Sequence, residues 1–219
     1  MTIAVELRGA EAAYGGRKVL HGIDLSVRAG ERVALMGRSG AGKSTLINLI
    51  HAQIAERVAL IPQAAALVRT LSVFHNVFMG RLDRQSTLTN LRNLAWPSRP
   101  HVEEVRRVLD LVELADRIFA RAGELSGGQQ QRASVARALY NGRPVLVGDE
   151  PVSALDRVQG AAVLARLCER HETAILALHD IPLALAQTDR VVVLDEGRIV
   201  LDAPTRGLVA ADLAPFYGP

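Results

Sequence analysis

Gly37-Arg38-Ser39-Gly40-Ala41-Gly42-Lys43-Ser44-Thr45 follows a short strand at residues 31–36 and precedes a helical pattern with Leu46, Leu49 and Ile50 on one side. The nine residues fit G-x-x-x-x-G-K-[ST]. Glycines let the backbone curl until several N–H groups point inward at phosphate oxygens. The helix that follows adds its partly positive N-terminal end. The loop residues Gly37, Ser39, Gly40, Ala41, Gly42 and Thr45 then form the cradle, Lys43 reaches the β- and γ-phosphates, and the Ser44 hydroxyl takes a place on Mg²⁺. Strand, glycine loop and helix in this order predict an α/β fold that binds a nucleoside triphosphate, and say no more than that.

Outward from the loop, residues 3–7 alternate apolar and polar as a half-buried strand does, and residues 19–27 do the same after the Gly15-Gly16 turn. Residues 58–61, 145–147, 174–178 and 191–194 are wholly apolar, as expected for strands buried in a parallel sheet. Between them, about residues 64–123 form a polar, helix-like region with Val102, Val105, Leu109 and Val112 at helical spacing, broken by Trp96-Pro97-Ser98-Arg99-Pro100. No repeat or low-complexity linker interrupts the chain. The expected organisation is one α/β domain over residues 1–219 with a helical insertion in its middle.

The bulk numbers exclude some functions. With 219 residues there is enough chain for one sizeable core, and 4% aromatics require that core to be mainly Ala, Val, Leu and Ile. A formal charge of +3 suits nucleic acid, nucleotide phosphates, an anionic membrane face or simply a solvated surface, and does not choose among them. One cysteine, Cys168, excludes an internal disulfide and points to a reducing compartment; its spacing from Leu164 and Leu167 makes it a small core hydrophobe. No basic-then-apolar N-terminal segment reads as a secretory signal, and no stretch approaches the roughly 20 apolar residues that span a bilayer. A membrane role would therefore require a partner.

Leu125-Ser126-Gly127-Gly128-Gln129 is a second place where an anion can bind. Ser126 can cap a helix running through Gln131, Val135, Ala136 and Leu139, and the N–H groups of Gly127 and Gly128 can approach a phosphate closely. Alone, such a cap is equally well a plain helix start. Followed by an apolar strand that ends in Asp149-Glu150, it matches the signature motif of the ATP-binding-cassette (ABC) ATPases, and the resemblance extends over nearly the whole chain in that family's order. It implies a P-loop α/β fold with a mainly parallel core sheet flanked by helices, an N-terminal antiparallel β subdomain and a helical subdomain.

The likeness also implies roles. Residues 145–150 resemble the Walker B strand, so Asp149 would hold Mg²⁺ directly or through water and Glu150 would act as general base. Gly148 departs from the larger residue usual there, at an expected cost in packing. Ser153-Ala154-Leu155-Asp156 resembles the loop that crosses to the second subunit, placing Asp156 near nucleotide. His179 resembles the histidine that senses the γ-phosphate, although a lone histidine after a strand is often structural. Gln63 resembles the glutamine that contacts Mg²⁺ or water and hinges toward the membrane partner. Tyr14 matches the aromatic that stacks on adenine, or else packs on a strand edge.

Leu71-Ser72-Val73-Phe74-His75-Asn76-Val77, then Gly80-Arg81-Leu82, the run 125–139 and the C-terminal Phe216-Tyr217-Gly218 are similar to the ATPase of phosphonate-type importers. That likeness implies ATP and Mg²⁺ as cofactors, a second copy of the chain closing an ATP sandwich, an integral membrane permease, an extracytoplasmic solute-binding protein, and no nucleic acid. The chain would lie in the cytoplasm, peripheral on the inner face of the membrane. Alternative readings are an accessory ATPase of a carbon–phosphorus bond-cleaving complex and a soluble non-transport ABC ATPase. From Thr45 to Gln63 the chain is shorter than the family pattern and omits a strand, so the antiparallel sheet should be reduced, with an edge to cover.

Overall fold

The computed structural model describes residues 2–217, apart from the side chain of Tyr14. In chain order the elements are β1 (Ile3–Tyr14), β2 (Arg17–Arg28), β3 (Arg32–Met36), α1 (Lys43–Ile54) and β4 (Val58–Ile61). Then come α2 (Val73–Phe78), α3 (Thr87–Ala95), α4 (Arg99–Asp110), α5 (Gly127–Asn141), β5 (Val145–Asp149) and α6 (Arg157–Arg170). The last are β6 (Thr173–Ala177), α7 (Ile181–Gln187), β7 (Arg190–Asp195), β8 (Arg198–Pro204) and α8 (Ala210–Leu213). They group into two units. One holds the residues up to Gln63, Arg143–Pro151 and those from His171 on; the other holds Ala64–Gly142 and Val152–Arg170.

The first unit contains both sheets. A six-stranded sheet runs in the order β4-β5-β6-β3-β7-β8, parallel except for β8, which pairs antiparallel with β7. Strands β5 and β6 are buried throughout, which explains their apolar runs at residues 145–147 and 174–177. Helix α1 lays Leu46, Ile47 and Ile50 into a core shared with Val33, Leu35, Val147 and Ile175. That core is built from Ala, Val, Leu and Ile alone, as the low aromatic content requires. Gly148 leaves no void there: a Cβ would sit 2.9 Å from Leu176 Cδ2, so the leucine already fills the space, and the expected packing cost is corrected.

The second sheet is the two-stranded antiparallel pair β1–β2, joined by the Gly15-Gly16 turn with both glycines at positive φ. The reduced sheet expected from the short segment after Thr45 is thus present, and β4 begins directly after α1 and a short 3₁₀ turn at Ala55–Arg57. Strand β1 runs well past residue 7 because a bulge at Gly9 (φ 55°), whose N–H donates to Asp24 Oδ1, absorbs the break in alternation. The edge of β2 is covered by its own unit: the His21 N–H donates to Gly197 O, and Arg190 Nη1 donates to Ser26 O. Tyr14 closes β1 opposite Arg17. Its proposed stacking, and Gly218 of the C-terminal likeness, lie outside the described residues.

The helical unit has its own core. Phe74 and Phe78 stack with ring centroids 5.6 Å apart, and Tyr140 of α5 lies 6.3 Å from Phe78. Here aromatics do enter the interior, unlike in the first unit. Burial, reinforced by Glu104, pushes the Tyr140 phenol up to about 12. Val105, Leu109 and Val112 are buried, as their helical spacing predicts, while α4 itself ends at Asp110. The Trp96–Pro100 break falls between α3 and α4, with Ser98 at the N-cap and Pro100 in the first turn. Cys168 is buried in α6 beside Leu167. Among the described residues no helix is long and apolar enough to cross a membrane.

Candidate functional site

Strands β4, β5, β6 and β3 are parallel neighbours, so their carboxyl ends lie along one edge of the sheet. In an open α/β sheet that edge is where ligands bind. Residues 37–42 follow β3, Gln63 follows β4, Asp149 ends β5 with Glu150 next, and His179 follows β6 by two residues. Topology alone therefore gathers the cradle, the glutamine, both carboxylates and the histidine.

A cleft of about 330 Å³ is lined by Val19, Ser39, Gly40, Gly42, Lys43, Ser44, Thr45, Gln63, Glu150 and His179. Gly37 and Ala41 are buried behind it. Gly42 caps α1 in a left-handed conformation, φ 105°. Lys43 is 6% exposed; its Nζ donates to Gly37 O at 2.7 Å and to Arg38 O at 2.9 Å, so the ammonium is held over the loop. Burial lowers its pKa, opposed by the charges of Glu150 and Asp149. A partly desolvated cation with two carboxylates nearby is an arrangement for binding phosphate and neutralising charge as a phosphoryl group transfers.

Glu150 is one of four described non-glycine residues at positive φ (54°). Its N–H still donates to Ala177 O at 3.1 Å, extending the ladder, and the backbone then turns. Its Oε1 lies 2.6 Å from His179 Nε2. The left-handed conformation costs roughly 1–2 kcal/mol and is kept where the surroundings over-determine it. Here it brings a half-buried carboxylate onto an exposed histidine, a pair able to polarise a water and hold a proton.

Within the helical unit, Ser126 caps α5 with a reciprocal capping box: Gln129 N–H donates to Ser126 Oγ, and Ser126 N–H donates to Gln129 Oε1 at 3.0 Å. Gly127 is exposed, and first-turn N–H groups have no backbone partner inside their helix, so this end has the exposure an anion site requires. A Cβ on Gly128 would lie 3.1 Å from Ala154 O, so the loop through Asp156 packs on this cap. The Asp156 carboxylate accepts from the N–H groups of Val158 and Gln159, both at 3.0 Å, capping α6.

Two residues make contacts in the first site that no motif gives. Gly197, at the β7–β8 turn, donates its N–H to Ala41 O at 3.0 Å, bracing the cradle from outside; the signal was Glu196-Gly197 between two apolar runs, a hairpin turn. Tyr217 donates its hydroxyl to Leu178 O and accepts from Gly37 N–H. No spacing rule connects positions 37 and 217.

The family model described as ABC transporter matches residues 20–153. A phosphonates import ATP-binding protein of Pseudomonas putida is 37% identical over 244 residues, covering 98% of this chain and 90% of that protein. One of Anaeromyxobacter dehalogenans is also 37% identical, but this chain spans only 48% of its length. An aliphatic sulfonates import ATP-binding protein of Paraburkholderia xenovorans is 40% identical over 215 residues, 92% of this chain and 60% of that protein. The 244-residue match exceeds the 219 residues of this chain, so that relative carries internal residues absent here, in keeping with the short segment before β4. A dimeric ATP-binding cassette in a post-hydrolysis state, bound to ADP and phosphate, superposes with a TM-score of 0.80 at 25% identity, covering 93% of this chain and all of that one. With the family model matched over most of the chain, a relative 37% identical over nearly its whole length and the fold shared with solved cassettes, the chain belongs to the ABC transporter family, as a cassette that binds and hydrolyses ATP.

Proposed function

We propose that this chain is the energy-coupling subunit of an importer for a phosphonate- or phosphate-ester-like oxyanion, working as a homodimer beneath a separate permease. The observation that carries the catalytic part is the 2.6 Å Glu150–His179 contact in the cleft that Lys43 and Ser44 also line. In this reading residues 37–45 hold the triphosphate and Lys43 neutralises its β- and γ-oxygens. Glu150 takes the proton of the attacking water, His179 orients Glu150 and the γ-phosphate, and Tyr14 packs on the base. The whole chain, 1–219, serves as one cassette with the helical segment inserted in it.

The residues also suit a hard divalent cation. Among the described residues no cluster of three or more His, Cys, Asp or Glu could hold a metal by itself. Mg²⁺ needs no such cage: it takes one or two protein oxygens and completes its shell with phosphate oxygens and water. The Ser44 hydroxyl, the Gln63 amide oxygen and the Asp149 carboxylate would supply them. The cation would screen the developing negative charge during transfer.

Neither cradle nor cap surrounds a nucleotide alone, so the Ser126–Gln129 cap and Asp156 would serve the nucleotide bound by a second copy. Support for the permease comes from the helical unit, where Leu71, Phe78, Met79, Leu82, Leu91 and Leu94 line an apolar groove of about 210 Å³. Leu88 and Trp96 nearby are each 79% exposed. Such a surface suits a helix of an apolar partner. The oxyanion rests on the names of the relatives, and the solute-binding protein on the likeness to importer ATPases alone.

Glu150→Gln tests the core of this. Turnover should fall at least about a hundredfold, while Mg-ATP converts the monomer to a dimer in light scattering. A variant that hydrolyses normally removes Glu150 from its role as base, and one that stays monomeric with saturating Mg-ATP overturns the sandwich. Purification from detergent-solubilised membranes should recover a permease; recovery with soluble enzyme only would assign the chain to another kind of complex.

A further inference from the structure

The C-terminal Tyr217 belongs to no motif of the proposed cycle, yet its hydroxyl sits between two parts of the site. It accepts from the Gly37 N–H at 3.3 Å and donates to Leu178 O at 3.4 Å. A phenol has one proton to give and lone pairs to receive, so both bonds form at once. Gly37 opens the cradle, and its own carbonyl holds the Lys43 ammonium. Leu178 immediately precedes His179, which holds Glu150.

Tyr217 is itself fixed in place. Leu213 of α8 is fully buried, α8 packs against α7, and the Tyr217 N–H donates to Ala214 O at 3.0 Å. Helix α7 begins one residue after the Asp180 that follows His179, with the Asp180 carboxylate as its cap. The C-terminal segment is therefore seated on the element that carries the histidine, and its last described side chain reaches the cradle.

We propose that Tyr217 is a positioning residue: its hydroxyl sets the spacing between the Gly37 end of the cradle and the Leu178–His179 segment, and thereby aligns the Glu150–His179 pair with the triphosphate. Ground-state binding rests on the loop N–H groups, Lys43 and the start of α1, none of which Tyr217 touches except at Gly37. Chemistry depends on alignment across the cleft, where small misplacements cost rate more than affinity. Loss of the hydroxyl should thus lower kcat and leave nucleotide affinity in place.

This rests on the ATPase reading, and one set of measurements keeps the two apart. The full chain, Tyr217→Phe, Tyr217→Leu and Lys43→Ala are purified together. Steady-state hydrolysis, fluorescent-nucleotide affinity and thermal unfolding are measured for each. If the wild type shows no turnover above Lys43→Ala, the ATPase reading fails. With that reading intact, Tyr217→Phe should lose about fivefold in kcat, the factor expected for one hydrogen bond of ordinary strength, with Kd for ATP changed less than twofold. Tyr217→Leu should fall at least as far. Wild-type kcat in Tyr217→Phe, with a deficit in Tyr217→Leu alone, would reduce the residue to a packing role and overturn the proposal. So would a loss confined to affinity.

Discussion

Replacing Gly197 by alanine separates the brace of the cradle from the cradle itself. A Cβ at Gly197 would stand 2.0 Å from Val19 O and 2.9 Å from His21 Cδ2. Close carbon–oxygen contacts lie at about 3.3–3.6 Å, so the β7–β8 turn must retreat by more than about 1 Å. That retreat breaks the Gly197 N–H bond to Ala41 O and the His21 N–H bond to Gly197 O, each worth about 1 kcal/mol. The φ of 73° adds roughly 1–2 kcal/mol for a residue with a Cβ. The sum is about 3–4 kcal/mol, which for a chain of this size lowers Tm by roughly 6–16 °C. Released at Ala41, the loop must order at least one residue on binding, a cost of about 1–2 kcal/mol, or roughly five- to thirtyfold in ATP affinity. The control is Gly22→Ala, whose φ of 64° imposes the same backbone strain with nothing within 4 Å of the new methyl. It should lose about 2–8 °C and no affinity. Differential scanning fluorimetry and a fluorescent-nucleotide titration read both quantities. If the two variants match in affinity, the turn does not brace the cradle and the reasoning fails.

Lys43→Ala should weaken ATP at least about a hundredfold in the same titration, because it removes the cation from the phosphates. Its Tm should stay within about 3 °C of wild type, since losing the bonds to Gly37 O and Arg38 O is offset by removing a buried charge that already pays a desolvation cost. Ser126→Ala removes the capping box and should cost about 1 kcal/mol, or roughly 2–4 °C in Tm. If the cap also serves the nucleotide of a second copy, its hydrolysis should fall while monomer ATP binding holds; unchanged hydrolysis would leave Ser126 a helix cap only.

The cradle and the buried strands were legible because each carries a local signature: a fixed glycine spacing in one case, an unbroken apolar run in the other. The α5 start was legible because a capping box is written in four consecutive residues, Ser126 to Gln129. Strand β8 was not, because it lies on an edge and alternates between exposed and half-exposed positions without a buried face. Helix α3 was also faint: Leu88, Leu91 and Leu94 are apolar yet exposed, so no core-facing stripe marks it. The helical unit takes in residues up to Gly142 and also Val152–Arg170, although β5 intervenes; such grouping is decided by three-dimensional contact and leaves no mark in a linear pattern. Gly148 misled for a related reason. A missing side chain looks like lost packing until the neighbour that fills its place, Leu176, is known.

The glycines of the cradle carry the same lesson into the site. A Cβ on Gly37 would meet Leu194 O at 2.0 Å, and one on Gly42 would meet Leu20 Cδ2 at 2.9 Å. Gly37 is required by a backbone atom of β7 that the motif does not contain, and Gly42, at φ 105°, is crowded by a side chain of β2, whereas Gly40 meets nothing within 4 Å and is there for its φ of 80° alone. The first and last glycines are contact surfaces, then, and only the middle one is purely a matter of backbone freedom. A nine-residue stretch gives a phosphate cradle because β7 presses on its first residue, β2 and the β7–β8 turn press on its last glycine, Gly42, and Tyr217 holds the first N–H. The motif names the residues that face the ligand; the precision of the site comes from the four neighbours behind them, Leu194, Leu20, Gly197 and Tyr217, each at a sequence distance that no spacing pattern can express.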